Sequence, residues 1–441
     1  MAGIAGILLA VIGLRPGSPK IPPQAIRLTN GVTLRLESVQ FGAVLLDPMD
    51  PRSHGWRGAW SHMQGALWKL APDVVPPPMN WNPFPRFPTL GLWFSETGEP
   101  LFNPRRSRRF EVIVEPGDSQ DTTRSVAAGW SGMGAAPSGG DYQGVYFTVF
   151  PRRCRELRVA VYDAPFDGER LAPSAQPLHT FRLPNPAYRT RRDSPALPTL
   201  PVTVREGDFE GTVLPAWTNL ASWASTARRE RLPPEQVFTR FGLQLRHHGT
   251  NAVDWRCTGA SLYDQTGNRC EYPALEEVAG TNGNRLLFLT HPAFPKGEPT
   301  FARLELSRTA GFDTNAICVF TNVVIGIGAP GGSLTVTSRD GRYVVRGAAH
   351  SGVPDQYPLR EVTLDFDRQP GPAPWVPTRT LLVEARPSGG GESLNVPVAA
   401  FERFGRVRIW VPRGVTNLDL RIVCEPVRTL DVPLPAPDVR F

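Results

Sequence analysis

Apolar and polar side chains alternate along the stretch Glu156-Leu-Arg-Val-Ala-Val-Tyr162, with Leu157, Val159 and Val161 on one parity. A period of two places those three on one face of a β-strand. Just upstream, Val149-Phe-Pro-Arg-Arg-Cys-Arg reads as the end of an earlier strand followed by a proline turn. The pattern returns near the end of the chain. There Leu418, Leu420 and Ile422 stand six, eight and ten residues after Pro412, as Leu157, Val159 and Val161 do after Pro151. A looser copy runs from Phe294-Pro295-Lys296 to Phe301, Leu304 and Leu306, one residue late. We read these as equivalent corners of three β-domains, closed by strands at Phe181, Phe320 and Leu430, with Pro151, Pro295 and Pro412 as structural markers.

Taken in order, residues 1–24 form a signal or anchor segment with its leader. The run Ala2 to Leu14 carries no charge, but it is shorter than the roughly 20 residues that span a bilayer. No basic residue precedes it, and no A-x-A site follows. The first domain covers 25–186 and opens on a hairpin about Asn30-Gly31. Trp56, Trp60, Met63, Leu67 and Leu70, spaced four, three, four and three apart, predict a helix over 55–70 whose apolar stripe packs on the sandwich. The proline-rich run 74–88 should lie extended. Residues 187–201 read as a Pro/Arg linker, 202–327 as a second β-domain, and 331–441 as a third that opens on an Asp340-Gly341 hairpin. Short helices are expected at 219–229 and from Pro233.

Composition agrees with this. The 47 prolines and 42 glycines favour strands joined by irregular loops over helices. The expected fold class is therefore all-β, three tandem immunoglobulin-like β-sandwich domains, the first with an inserted helix. About seven strands in the last 110 residues or so suit that size of sandwich. No Cys-Trp-Cys signature is present, so the likeness is to a superfold and fixes no function.

The net charge of +7 rests almost wholly on arginine, since lysine occurs only at positions 20, 69 and 296. The arginines are spread along the chain, so no nucleic-acid partner is expected. The densest run is Arg105, Arg106, Arg108 and Arg109, a candidate anion-binding patch, with Arg152, Arg153 and Arg155 at the repeated corner. Six of the eleven tryptophans lie between Trp56 and Trp130. Trp81 and Trp130 are the candidate glycan- or partner-binding residues, the latter in the Gly-rich loop 129–140.

No catalytic constellation can be assembled. Gly117-Asp118-Ser119 matches the short nucleophile motif of GDS-type hydrolases, but the late Asp-x-x-His those enzymes need is missing. Gly129-Trp-Ser-Gly-Met133 is not G-x-S-x-G. Five cysteines contain no C-x-x-C pair, and Cys257 and Cys270 would not face each other across their hairpin. His247-His248 is the sole histidine pair, and adjacent strand residues point to opposite faces, so no metal and no cofactor is expected. The reading is a non-catalytic exported or membrane-tethered structural or adhesive protein of the cell envelope. Its partner would be an envelope protein or polysaccharide, with membrane contact through residues 2–14. The alternatives are a carbohydrate-binding protein using the Trp-rich first domain, and a hydrolase whose site is not visible in sequence.

Overall fold

A computed structural model describes residues 25–29, 31–42, 45–46, 53, 55–70, 87–98, 110–118, 123–127, 129–133, 142–163, 175–188, 199–215, 236–271, 273–280, 282–295, 298–309, 317–327, 333–338, 341–349, 358–370, 378–394, 399–401, 404–426 and 428–436. Among these the chain is nearly all β, with strands at 66% and a single helix at 5%. The apolar segment 2–14, residues 189–198 of the linker 187–201 and the expected short helix at 219–229 lie outside the described residues. No helix among the described residues is long and apolar enough to cross a membrane.

The first core lies between two sheets. One has the strand order 25–27, 33–42, 89–97, 142–147, 129–133, and the other 125–126, 110–116, 156–163, 179–184. Leu34, Leu92, Phe94 and Phe147 of the first meet Phe110, Val112, Leu157, Val159 and Val161 of the second in one buried cluster. The alternation read around Leu157 therefore faces a core, as period two requires. The opening hairpin pairs Arg27 with Thr33. Leu28 N–H donates to Val32 O at 2.8 Å, and Gly31 has φ +86°. The loop is thus three residues long with Gly31 in the left-handed position, rather than a two-residue Asn-Gly turn. In the last core, Ser338 pairs with Gly341, which moves that hairpin loop one residue earlier than Asp340-Gly341.

The second core lies between a sheet of strands 202–206, 209–214, 236–247, 284–292 and 274–279, and a sheet of strands 269–270, 255–264, 300–308 and 428–433. Along Arg285-Leu-Leu-Phe-Leu289 both faces are buried. Leu287 and Leu289 join this core, while Leu286 and Phe288 pack with Phe238 on the other side.

The third core, built around Phe320, Val345, Leu364, Ile409 and Leu420, holds strands 317–327, 341–349, 359–370, 378–387, 404–412 and 417–426. Residues 317–324 pair antiparallel with 417–423, and 325–327 then run parallel to 347–349. The switch follows a bulge between Phe320 and Val323 where Asn322 has φ +63°, a bend that lets one strand serve two sheets.

These pairings redraw the expected boundaries. The strand 317–327, read from sequence as the end of the second domain, pairs in the third core. The strand 428–433, read as the end of the third, pairs with 300–308 in register from Phe301↔Pro433 to Leu306↔Arg428. Leu430 and Val432 fill the second core. The second core is thus completed by chain that arrives only after the third has been traversed, and the order is not a simple succession of three units. At Pro151, Pro295 and Pro412 the chain passes from strands 142–147, 284–292 and 404–412 to strands 156–163, 300–308 and 417–426, none of which pair with the strand just left.

Candidate functional site

The helix Gly55–Leu70 forms as its spacing predicts, but three residues of its apolar stripe point to solvent. Trp56 is 76% exposed and Trp60 57%, and Leu67 is exposed as well. Among the helix residues whose burial is described, the buried positions are Gly58, Ser61 and Gly65. These small residues, at three- and four-residue spacing, lie on the helix face opposite the tryptophans. Being four apart, Trp56 and Trp60 lie one above the other on the same helical face.

Of the other candidate positions, Arg105, Arg106, Arg108, Arg109 and Trp81 lie outside the described residues. Trp130 sits on the strand Gly129–Met133, opposite Val145. Of the Pro151-corner arginines, Arg152 and Arg153 are engaged by the protein itself, while Arg155 is exposed, its guanidinium 5.9 Å from the Tyr188 ring centroid. Arg152 is buried, and its Nε donates to Asn268 Oδ1 at 2.8 Å. Its Nη2 donates to Pro88 O at 2.7 Å, and its guanidinium lies 4.7 Å from the Phe150 ring centroid. Asn268 Oδ1 also accepts from Phe150 N–H at 3.0 Å. Asn268 is held in turn by Asp264. Its side-chain amide donates to Asp264 Oδ2 at 2.9 Å, and Asp264 Oδ1 accepts from Thr266 N–H at 2.8 Å and Asn268 N–H at 3.0 Å. Arg153 pairs with Glu298. The turn Asp264 to Asn268 is therefore a socket for the Pro151 corner. At this seam Phe150 belongs to the first core while Val149 belongs to the second. Asp118 of the Gly-Asp-Ser triplet accepts Arg155 N–H at 2.8 Å, the work of a turn cap. Cys154 and Cys257 are free thiols, and burial together with the Asp118 charge pushes the Cys154 thiol up to about 11.

Two neighbouring turns of the second core bring together residues that the sequence reading kept apart. Strands 202–206 and 209–214 are joined by Gly207-Asp208, with Glu206 opposite Phe209 and Gly207 at φ +59°. Strand 236–247 turns back through His248-Gly249 to pair His247 with Thr250. Both turn residues have positive φ, +49° and +75°, the signature of a type I′ hairpin turn. Phe209 and His247 are direct cross-strand partners, so the two turns lie side by side at one end of the sheet.

The rule that adjacent strand residues face opposite ways stops at the turn. His248 is already in left-handed backbone, and its ring swings onto the side of His247, with centroids 4.2 Å apart. Nε2 of His247 lies 3.4 Å from Asp208 Oδ2, and Nε2 of His248 lies 3.5 Å from the same oxygen. The backbone N–H of His248 donates to Asp208 O at 3.0 Å, tying the turns together. His247 is wedged against Phe209 and Trp255, at 4.7 and 5.1 Å between ring centroids. Burial, then the charge of His248, lowers its pKa. The carboxyl of Asp208 is held below its usual range by its own backbone N–H and by the Arg428 and His248 charges. Among the described residues this is the one trio of His, Cys, Asp or Glu whose donor atoms all lie within 4.8 Å of one another. The expectation of no metal rested on strand alternation, and the local geometry removes that argument. His291 shows the contrasting case, buried with Nε2 3.1 Å from Thr239 Oγ1.

No known protein family and no curated protein matches the chain. Among solved structures the chain is similar to dimeric latent PorU from Porphyromonas gingivalis, at 10% identity and a TM-score of 0.13. The similarity covers 79% of this chain and 31% of that one, so the chain spans less than a third of that protein's length. A likeness at that TM-score carries no argument about fold or activity.

Proposed function

We propose that this protein is an exported, non-catalytic structural or adhesive component of the cell envelope. In this reading it consists of three immunoglobulin-like sandwiches, the last carried between two strands of the second. The observation that supports it is the seam at Pro151. A buried, mutually satisfied set of polar groups (Arg152, Asn268, Asp264) joins the first and second cores. Such a network fixes relative position without offering a group to a substrate, which suits a protein whose work is to hold its surfaces in place. The apolar run Ala2 to Leu14 supports export. Fractionation of the native cell, with protease added to intact cells, tests this. The protein should appear in the envelope or medium and be cleaved from outside, and confinement to the cytosol would overturn the reading.

A second reading, glycan binding, is favoured by the outward Trp56 and Trp60. Paired indoles on one helical face offer the stacking surface that sugars use. Screening the full chain on a carbohydrate array, with a Trp56→Ala/Trp60→Ala variant alongside, decides it. Binding that the variant loses supports the reading, and an array without a hit sinks it.

A further inference from the structure

We propose that Asp208, His247 and His248 form a binding site for one divalent transition-metal ion of the zinc type. The donor set is two neutral-capable imidazoles and a carboxylate, the nitrogen–oxygen mix that suits zinc, cobalt, nickel and copper. The spacing fits. Zinc bonds of about 2.0–2.1 Å in a tetrahedron put donor atoms roughly 3.3–3.4 Å apart. The two imidazole nitrogens lie 3.4 and 3.5 Å from Asp208 Oδ2, and all three donor atoms fall within 4.8 Å of one another. A small closing of the two rings completes three coordination positions.

The surroundings orient these donors as a support shell does around known sites. Phe209 and Trp255 fix the His247 ring. Arg428 Nη1 stands 3.7 Å from Asp208 Oδ1, which engages the far oxygen and leaves Oδ2 toward the imidazoles. The His248 N–H to Asp208 O bond sets the distance between the two turns. Arg428 and Arg308 both bring positive charge to the corner, and with a single carboxylate present the affinity should be moderate, in the micromolar range or weaker. His248 is the outermost donor, its side chain 70% exposed. The fourth position therefore faces solvent, open to water or to a donor from another molecule, unlike the closed four-ligand sites that hold small zinc domains together.

The test is cobalt and zinc binding by the full-length chain after chelator treatment. Cobalt should give the visible absorption of a low-coordinate site, and zinc should displace it with a stoichiometry of one. His248→Asn is the deciding variant. Asparagine accepts the left-handed turn position, so the hairpin is kept while one ligand is lost, and zinc affinity should fall at least tenfold. Asp208→Asn should do the same, whereas His179→Gln, a histidine on the first core's edge strand, should leave it unchanged. Binding that His248→Asn and Asp208→Asn leave intact, or no saturable binding at all, overturns the proposal. Metal bound without an effect on localisation or adhesion leaves the proposed envelope role to its own test.

Discussion

The Pro151 seam and the Asp208 corner are both polar clusters built on turns around one aspartate, yet they differ in how far they are closed. At the seam the Asp264 carboxylate is capped by Thr266 and Asn268, and Asn268 spends its carbonyl on Phe150 and Arg152. Asn268 has no exposure to solvent. At the corner three donor atoms converge on a point open to solvent, at separations longer than a good hydrogen bond. A closed network specifies position, and an open convergence of lone pairs specifies a ligand. The difference teaches where to look for binding in a chain whose buried polar residues mostly serve the structure.

The sharpest way to break this contrast is Asn268→Leu. It removes the acceptor of Arg152 Nε and Phe150 N–H and the donor to Asp264, leaving several buried groups unpaired. Each costs about 1–3 kcal/mol and a stranded charge more, so a loss of about 3–5 kcal/mol is expected in urea unfolding. A loss below about 1 kcal/mol would mean that water reaches the seam.

An intermediate case is the Arg303–Asp431 pair, which fastens the last strand across from its register partner. The bonds are 2.8 Å from Nε to Oδ1 and 2.6 Å from Nη2 to Oδ2. Burial alone would raise the Asp431 pKa, but the hydrogen bonds from Arg303 and Tyr263 outweigh it and lower it. A depressed folded value means the carboxylate adds stability above its unfolded pKa near 4, lost as pH falls through the folded value. Both side chains are partly exposed, so the contribution is about 1 kcal/mol or less. Asp431→Asn should flatten this acid limb in urea melts taken from pH 3 to 7, and an unchanged limb would assign it to other carboxylates.

Smaller effects are expected where the structure is open. Trp56→Ser should shift stability by no more than about 0.5 kcal/mol, because the indole is already in solvent. A larger loss would show that the helix buries its stripe after all. His248→Asn without metal should leave the unfolding free energy in urea within about 0.5 kcal/mol or raise it slightly, since Asn-Gly is the preferred I′ pair.

Alternation and proline corners made the strands at Glu156–Asp163, Thr300–Arg308 and Asn417–Pro426 legible, because period two is a local property. Which strands pair is not local. Ile317–Ile327 is a largely apolar run and Arg428–Pro433 alternates, but nothing in either names its neighbour, so nearness in sequence assigned each to the wrong core. The helix shows a related limit. Its apolar spacing marks a face, but Gly58, Ser61 and Gly65 make the opposite face the one that packs. The corner was hidden twice over. Asp208 and His248 are forty residues apart, and the assumption of strand geometry at His247-His248 failed where a histidine-glycine pair forms an I′ turn. A left-handed dipeptide at the end of an alternating run was the one signal available.

The most direct test is a pair of thermal melts of the full-length chain, one with chelator and one with zinc. The protein should stay folded in chelator, because the seam and cores close without metal. Its midpoint should rise in zinc, by an amount corresponding to about 2.7 kcal/mol when free zinc is 100 times the dissociation constant. Asn268→Leu should melt earlier in both and keep the same zinc shift. Unfolding on chelation, or a midpoint that zinc does not move, would contradict the division between a self-sufficient seam and an open metal corner.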